Sequence, residues 1–70
     1  MHHRKFVGKN IRVLRVAKGW SQEKLAIRSK LSPDYLSKVE RGVVNIGLDS
    51  LARIADTLKV KLIEFFRDQS

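Results

Sequence analysis

The chain has 70 residues, no cysteine and a formal net charge of +8. A chain this short makes one domain, burying about 60% of its unfolded surface on a thin stability margin, with no room for a second domain or a deep enzyme cleft. It can hold no disulfide or thiolate metal site, no apolar run approaches the ~18 residues of a membrane span, and the opening MHHRKF lacks the apolar segment of a secretory signal, so a soluble cytoplasmic protein is expected.

Residues 1–5 show no pattern and are expected to form a flexible tail. His2 and His3 are adjacent on that tail, a poor geometry for a metal site, and no metal is expected. The charge is lopsided. Residues 1–30 carry nine Lys and Arg against Glu23 alone, whereas residues 31–70 carry six of each sign. Such a one-sided field suits a polyanion. Charge alone leaves DNA, RNA, an acidic protein and a membrane surface all open.

Residues 6–18 place Val7, Ile11 and Leu14 at helical spacing, with Arg and Lys opposite, so the spacing predicts an amphipathic first helix. Gly19 suits the left-handed residue that ends it, and Trp20 is expected to pack over that end. Ser21 is a strong N-cap for a second helix over 22–29, with Glu23 near its positive end. Leu25, Ala26 and Ser29 form its buried face. Residues 29–31 make a turn. Ser32 caps a third helix, Pro33 takes its first position where no N–H is needed, and Asp34 follows.

In the third helix Leu36 and Val39 point inward, joined by Leu31 from the turn. Asp34, Ser37, Lys38 and Arg41 recur at i, i+3, i+4 and i+7 and form one polar stripe that so short a chain has nothing to bury against. Gly42 ends this helix, and residues 43–46 form a loop in which Asn45 can take turn conformations. A fourth helix over 48–58 carries Leu48, Leu51, Ile54, Ala55 and Leu58, with Gly47 as a modest N-cap. Leu62, Ile63, Phe65 and Phe66 belong to a last short helix that is apolar on more than one face. Five helices with short connections make a compact all-α domain over residues 6–67, followed by a flexible end at 68–70. Arg15 and Glu40 are charged yet fall near the core side, and a buried ion pair tying the first helix to the third is expected.

Several pieces carry a family resemblance. They are Ile11-Arg12-x-Leu14-Arg15, then Trp20-Ser21-Gln22-Glu23-x-Leu25-Ala26. Leu31-Ser32-x-x-Tyr35-Leu36-Ser37-x-Val39-Glu40-Arg41-Gly42 and Leu51-x-x-Ile54-Ala55-x-x-Leu58 follow. Each is loose alone, but in this order and spacing they are specific together. The chain resembles the lambda-repressor/Cro-like helix-turn-helix family, often called XRE, over residues 6–66. Its size and its Glu40-Arg41-Gly42 and Asn45-Ile46 loop are similar to the small controller proteins of restriction–modification systems.

The resemblance implies a lambda-repressor-like DNA-binding domain acting as a transcriptional regulator, a repressor or autoregulator, that binds double-stranded DNA as a homodimer on a palindrome. It places phosphate contacts at Gln22, Tyr35 and Asn45, to which Lys24 is added as a basic residue of the second helix. It places base readers at Pro33, Asp34, Ser37 and Lys38, with Arg41 completing the stripe. A helix N-terminus suits a phosphate and the front of a second helix fits the major groove. The departures are Lys30, where the family usually has Gly in the turn, and Pro33, where many repressors place Gln or Arg. Asp34 when ionised can only accept, for example from a cytosine amino group. Ile46, Leu62, Ile63, Phe65 and Phe66, with Val43 and Val44, supply more apolar surface than one small core absorbs and are the expected dimer interface. A different class of function also fits: a protein-interaction module, or an antitoxin whose main partner is another protein, with the polar stripe merely solvated. No nucleophile–base pair, metal-ligand spacing or phosphate loop is present, so no catalysis, cofactor or small-molecule ligand is expected.

Overall fold

The computed structural model describes residues 3–67. Four α-helices, α1 (His3–Ala17), α2 (Gln22–Arg28), α3 (Pro33–Glu40) and α4 (Leu48–Leu58), are followed by a 3-10 helix, Leu62–Phe66. No strand occurs among the described residues. The all-helical expectation holds; the fifth element is a single 3-10 segment and not an α-helix. α1 reaches back to His3, into the stretch expected to be a tail. The physical reason is that Arg4, Lys5 and Phe6 tolerate a helix and Val7, buried in the core, anchors the first turns. The side chains of His2 and His3 and the expected flexible end at 68–70 lie outside the described residues.

Every element sends apolar side chains to one core. Ile11 from α1, Leu25 and Ala26 from α2, Leu36 and Val39 from α3, Ile54 and Leu58 from α4, and Phe65 from the 3-10 helix are all buried. Each large side chain so buried contributes about 1.5–3 kcal/mol. Helices of 7 and 8 residues would not persist alone, so α2 and α3 depend on this packing. Leu48 does not join the core. It is the first residue of α4 and is 65% exposed, because the inward stripe begins one turn later at Leu51.

Two features of α1 were not anticipated. Asn10 is fully buried, and its Nδ2 donates to the Phe65 and Arg67 carbonyls at 2.8 and 2.7 Å, stitching α1 to the end of the 3-10 helix. Gly8 lies where α1 meets α3, and a methyl group there would press into the Val39 carbonyl oxygen. Glycine at this position sets how closely the two helices approach.

The ion pair between α1 and α3 is present. Arg15 Nε donates to Glu40 Oε2 at 2.7 Å and Nη2 to Oε1 at 2.9 Å, in the parallel, two-bonded form that gives guanidinium–carboxylate pairs their strength. The side chains are 10% and 2% exposed. Arg15 Nη1 also donates to the Trp20 carbonyl at 2.7 Å, and Gln22 Nε2 donates to Glu40 Oε1 at 3.0 Å. One pair thus holds α1, the connection after it, α2 and α3.

The two serine caps form as expected. Ser21 Oγ accepts from the Lys24 N–H and Ser32 Oγ from the Tyr35 N–H, both at 3.0 Å. Lys30 in the turn adopts φ 61°, the left-handed conformation that costs a side-chain-bearing residue on the order of 1–2 kcal/mol.

Two stability measurements check these features. Lys30→Gly relieves the left-handed strain but adds about 0.4–1 kcal/mol of unfolded-state entropy. The net is a gain of about 0–1.6 kcal/mol, seen as a raised melting temperature; a lowered one contradicts the turn geometry. Glu40→Gln leaves the Arg15 guanidinium buried without its charge partner. A loss approaching the ~3–5 kcal/mol of a broken buried pair is expected, a large part of a small domain's stability. Urea unfolding at near-wild-type midpoint would refute the pairing's importance.

Candidate nucleic-acid interface

The helix-turn-helix is built by local bonds and then clamped from outside. The Ser29 N–H reaches the Leu25 and Ala26 carbonyls, and the Leu31 N–H closes back on the Ala26 carbonyl at 2.8 Å. α4 grips the same turn from behind: Arg53 Nε donates to the Ser29 carbonyl at 3.0 Å, and Ser29 Oγ donates to Thr57 Oγ1 at 3.2 Å. Neither Arg53 nor Thr57 stands out in the sequence. Their partners lie 24 and 28 positions away, and no local pattern points to them. At the far end of α3, Gly42 takes φ +75° and the Val43 N–H bonds the Lys38 carbonyl at 3.1 Å, which satisfies the last turn.

The face of α3 that this scaffold presents is polar. Pro33, Asp34, Lys38 and Arg41 are exposed and Ser37 is half-buried. Asp34 and Lys38 pair with each other, Lys38 Nζ lying 3.2 Å from Asp34 Oδ2 at i,i+4 spacing. Such a solvated pair contributes about 0.3–0.5 kcal/mol, so a stronger partner separates it readily. The Lys38 charge is therefore lightly held and movable.

The expected phosphate contacts are divided. Gln22 opens α2 but spends its amide on Glu40, where it steadies the ion pair. Lys24 lies with its Nζ 4.5 Å from the Trp20 ring centroid, and Arg28 approaches the same ring at 5.3 Å. Trp20 is half-buried against the core and carries these two cations on its face. Tyr35 is half-buried against the core, with its backbone N–H held by Ser32, whereas Asn45 stands exposed in the loop before α4. A cleft of about 250 Å³ brings Gln22, Ser37 and Arg41 together with Arg12, Arg15 and Glu40.

The expected apolar interface is corrected in one respect. Phe65 is wholly buried and belongs to the core, while Ile63 and Phe66 are 65% and 47% exposed. A 3-10 helix has three residues per turn, so positions 62 and 65 share the inward side and 63 and 66 the outward side. Leu62, Val44 and Ile46 are half-buried against the core, and Val43 is exposed. No helix among the described residues is long and apolar enough to cross a membrane.

Comparison with known proteins agrees with this architecture. A helix-turn-helix family model matches residues 11–65. The chain is 44% identical over 61 residues to the transcriptional regulator SlrR of Bacillus subtilis, covering 86% of this chain but only 40% of that regulator. It is 40% identical over 55 residues to the control protein C.BamHI of Bacillus amyloliquefaciens, covering 77% of this chain and 68% of that protein. The crystal structure of the restriction–modification controller protein C.AhdI from Aeromonas hydrophila superposes with a TM-score of 0.87 at 40% identity, over 90% of this chain and 96% of that one. With the capped α2–turn–α3 unit at its centre, the chain belongs to the helix-turn-helix family, of the lambda-repressor/Cro-like (XRE) type.

Proposed function

We propose that this protein is a sequence-specific regulator of transcription that binds double-stranded DNA as a homodimer on a palindromic operator, acting as a repressor or autoregulator. The observation that carries the reading is the α3 face: a solvent-facing row of polar side chains on a helix whose position is fixed by a buried ion pair and by α4. A helix held so firmly, with so little apolar surface on its outer side, is suited to reading base edges in a major groove.

The excess of Lys and Arg before Leu31 draws the domain to DNA by counterion release, without regard to sequence. The Asp34–Lys38 pair opens as α3 enters the groove. Lys38 then donates to guanine acceptors, Asp34 accepts from a cytosine amino group, and Ser37 serves either. Pro33 contributes shape and no donor. Gln22, Lys24, Tyr35 and Asn45 set the register on the backbone. Ile63 and Phe66, with Val43 and the exposed edges of Ile46 and Leu62, form the apolar surface for a second copy. Two copies placed about 34 Å apart read successive major grooves on one side of the duplex.

Two experiments test these assignments. Lys38→Ala is expected to weaken binding to a duplex selected from random sequences by about 1–3 kcal/mol, about 5- to 150-fold, with far less effect on an unrelated duplex. Equal binding by variant and wild type would leave the polar stripe as merely solvated surface and favour a protein partner. For assembly, sedimentation at tens of micromolar is expected to give a dimer for the wild type and a monomer for Ile63→Ser/Phe66→Ser. A wild-type monomer at that concentration defeats the interface.

A further inference from the structure

We propose that the cleft where α1, α2 and α3 meet is a seat for one phosphodiester of the DNA backbone, held jointly by Arg12 and Arg41. The assignment rests on the DNA-binding reading above and adds a residue, Arg12, that had no place in it.

The floor of the cleft is electrically spent. Glu40 accepts two bonds from Arg15 and one from Gln22, so its carboxylate is neutralised and three of its lone-pair sites are occupied. The charge left over in the lining is that of Arg12 and Arg41. Both residues are exposed, and neither guanidinium has a hydrogen-bonding or ionic partner among the described residues. Arg12 and Arg41 therefore border one space of about 250 Å³ whose lining carboxylate, Glu40, is already committed to Arg15 and Gln22. The Ser37 hydroxyl lies in the same lining.

A tetrahedral oxyanion fits this donor set. Guanidinium groups bind phosphate through paired, parallel bonds, and two of them can divide its oxygens. The cleft shares Ser37 with the polar face of α3 and Gln22 with the first turn of α2, so an anion seated there lies beside the reading surface. That continuity favours a backbone phosphate over an acidic peptide. It also moves Arg41 from base edges to the backbone, leaving Ser37, Lys38 and Asp34 as readers.

The test measures duplex affinity against salt for the full chain, on a selected duplex and an unrelated one. A phosphate contact on duplex DNA contributes about 0.9 to the slope of log affinity against log salt. If both arginines hold one phosphate, Arg12→Gln/Arg41→Gln lowers that slope by about 0.9, and weakens both duplexes by the same factor. A fall near twice that value means two separate contacts and overturns the shared seat. Weakening confined to the selected duplex returns Arg41 to the bases and overturns it as well. An unchanged slope, with the wild type binding normally, removes the seat while leaving the DNA reading intact; a wild type that binds no duplex removes both. Arg12→Lys/Arg41→Lys keeps both charges and is expected to retain the wild-type slope, which separates loss of contact from loss of fold. Inorganic phosphate titrated against the free protein, followed at the two arginine Nε–H resonances, distinguishes a free-anion site. Tight saturation there without any change in DNA slope would overturn the backbone assignment.

Discussion

The Arg15–Glu40 pair is the constraint on which the other parts depend. A buried ion pair is a weak source of net stability, since desolvating two charges offsets much of their attraction. What it supplies here is geometry. The two-bonded contact fixes the rotation of α3 relative to α1, the third nitrogen of Arg15 fixes the chain at Trp20, and Gln22 brings in the first turn of α2.

Around that pair, the short helices at the front are stabilised by parts that never face the proposed groove. α2 and α3 have 7 and 8 residues and are held by caps at their starts, by core packing behind and by Arg53 and Thr57 across the turn. The separation has a functional logic. Residues of the outer face can vary with little effect on folding, because few of them carry a structural bond. In the proposed function, affinity would come mainly from the basic first half and selectivity from Ser37, Lys38 and Asp34 of α3.

How much of this could be read in the sequence follows from the range of each interaction. The serine caps, the proline at the start of α3 and the glycine ends act on neighbours a few residues away, and all formed as read. The Arg15–Glu40 pair was readable because two charges fell on apolar faces. Asn10 occupied a similar slot, between Val7 and Ile11 on the buried side of α1, and that was the available signal; its partners, 55 and 57 positions away, were not. The need for Gly8 likewise exists only once α3 lies against it. At the C-terminal end the apolar residues were correct, but the helix type was not, and with three residues per turn Phe65 turned inward while Phe66 turned out. For the candidate site, the stripe on α3 was visible as a pattern, whereas the cleft joining Arg12 to Arg41 arises from three helices meeting and has no counterpart in any one segment.

The single tryptophan of the chain has a consequence beyond packing. Its ring carries the Lys24 ammonium and the Arg28 guanidinium on its surface, at the very edge of α2. A cation resting on an indole face perturbs its electrons, so a ligand that drew Lys24 toward itself would uncover the ring and alter its emission. The molecule thereby contains a native optical probe, with no competing indole, whose emission depends on the Lys24 and Arg28 cations at the edge of α2.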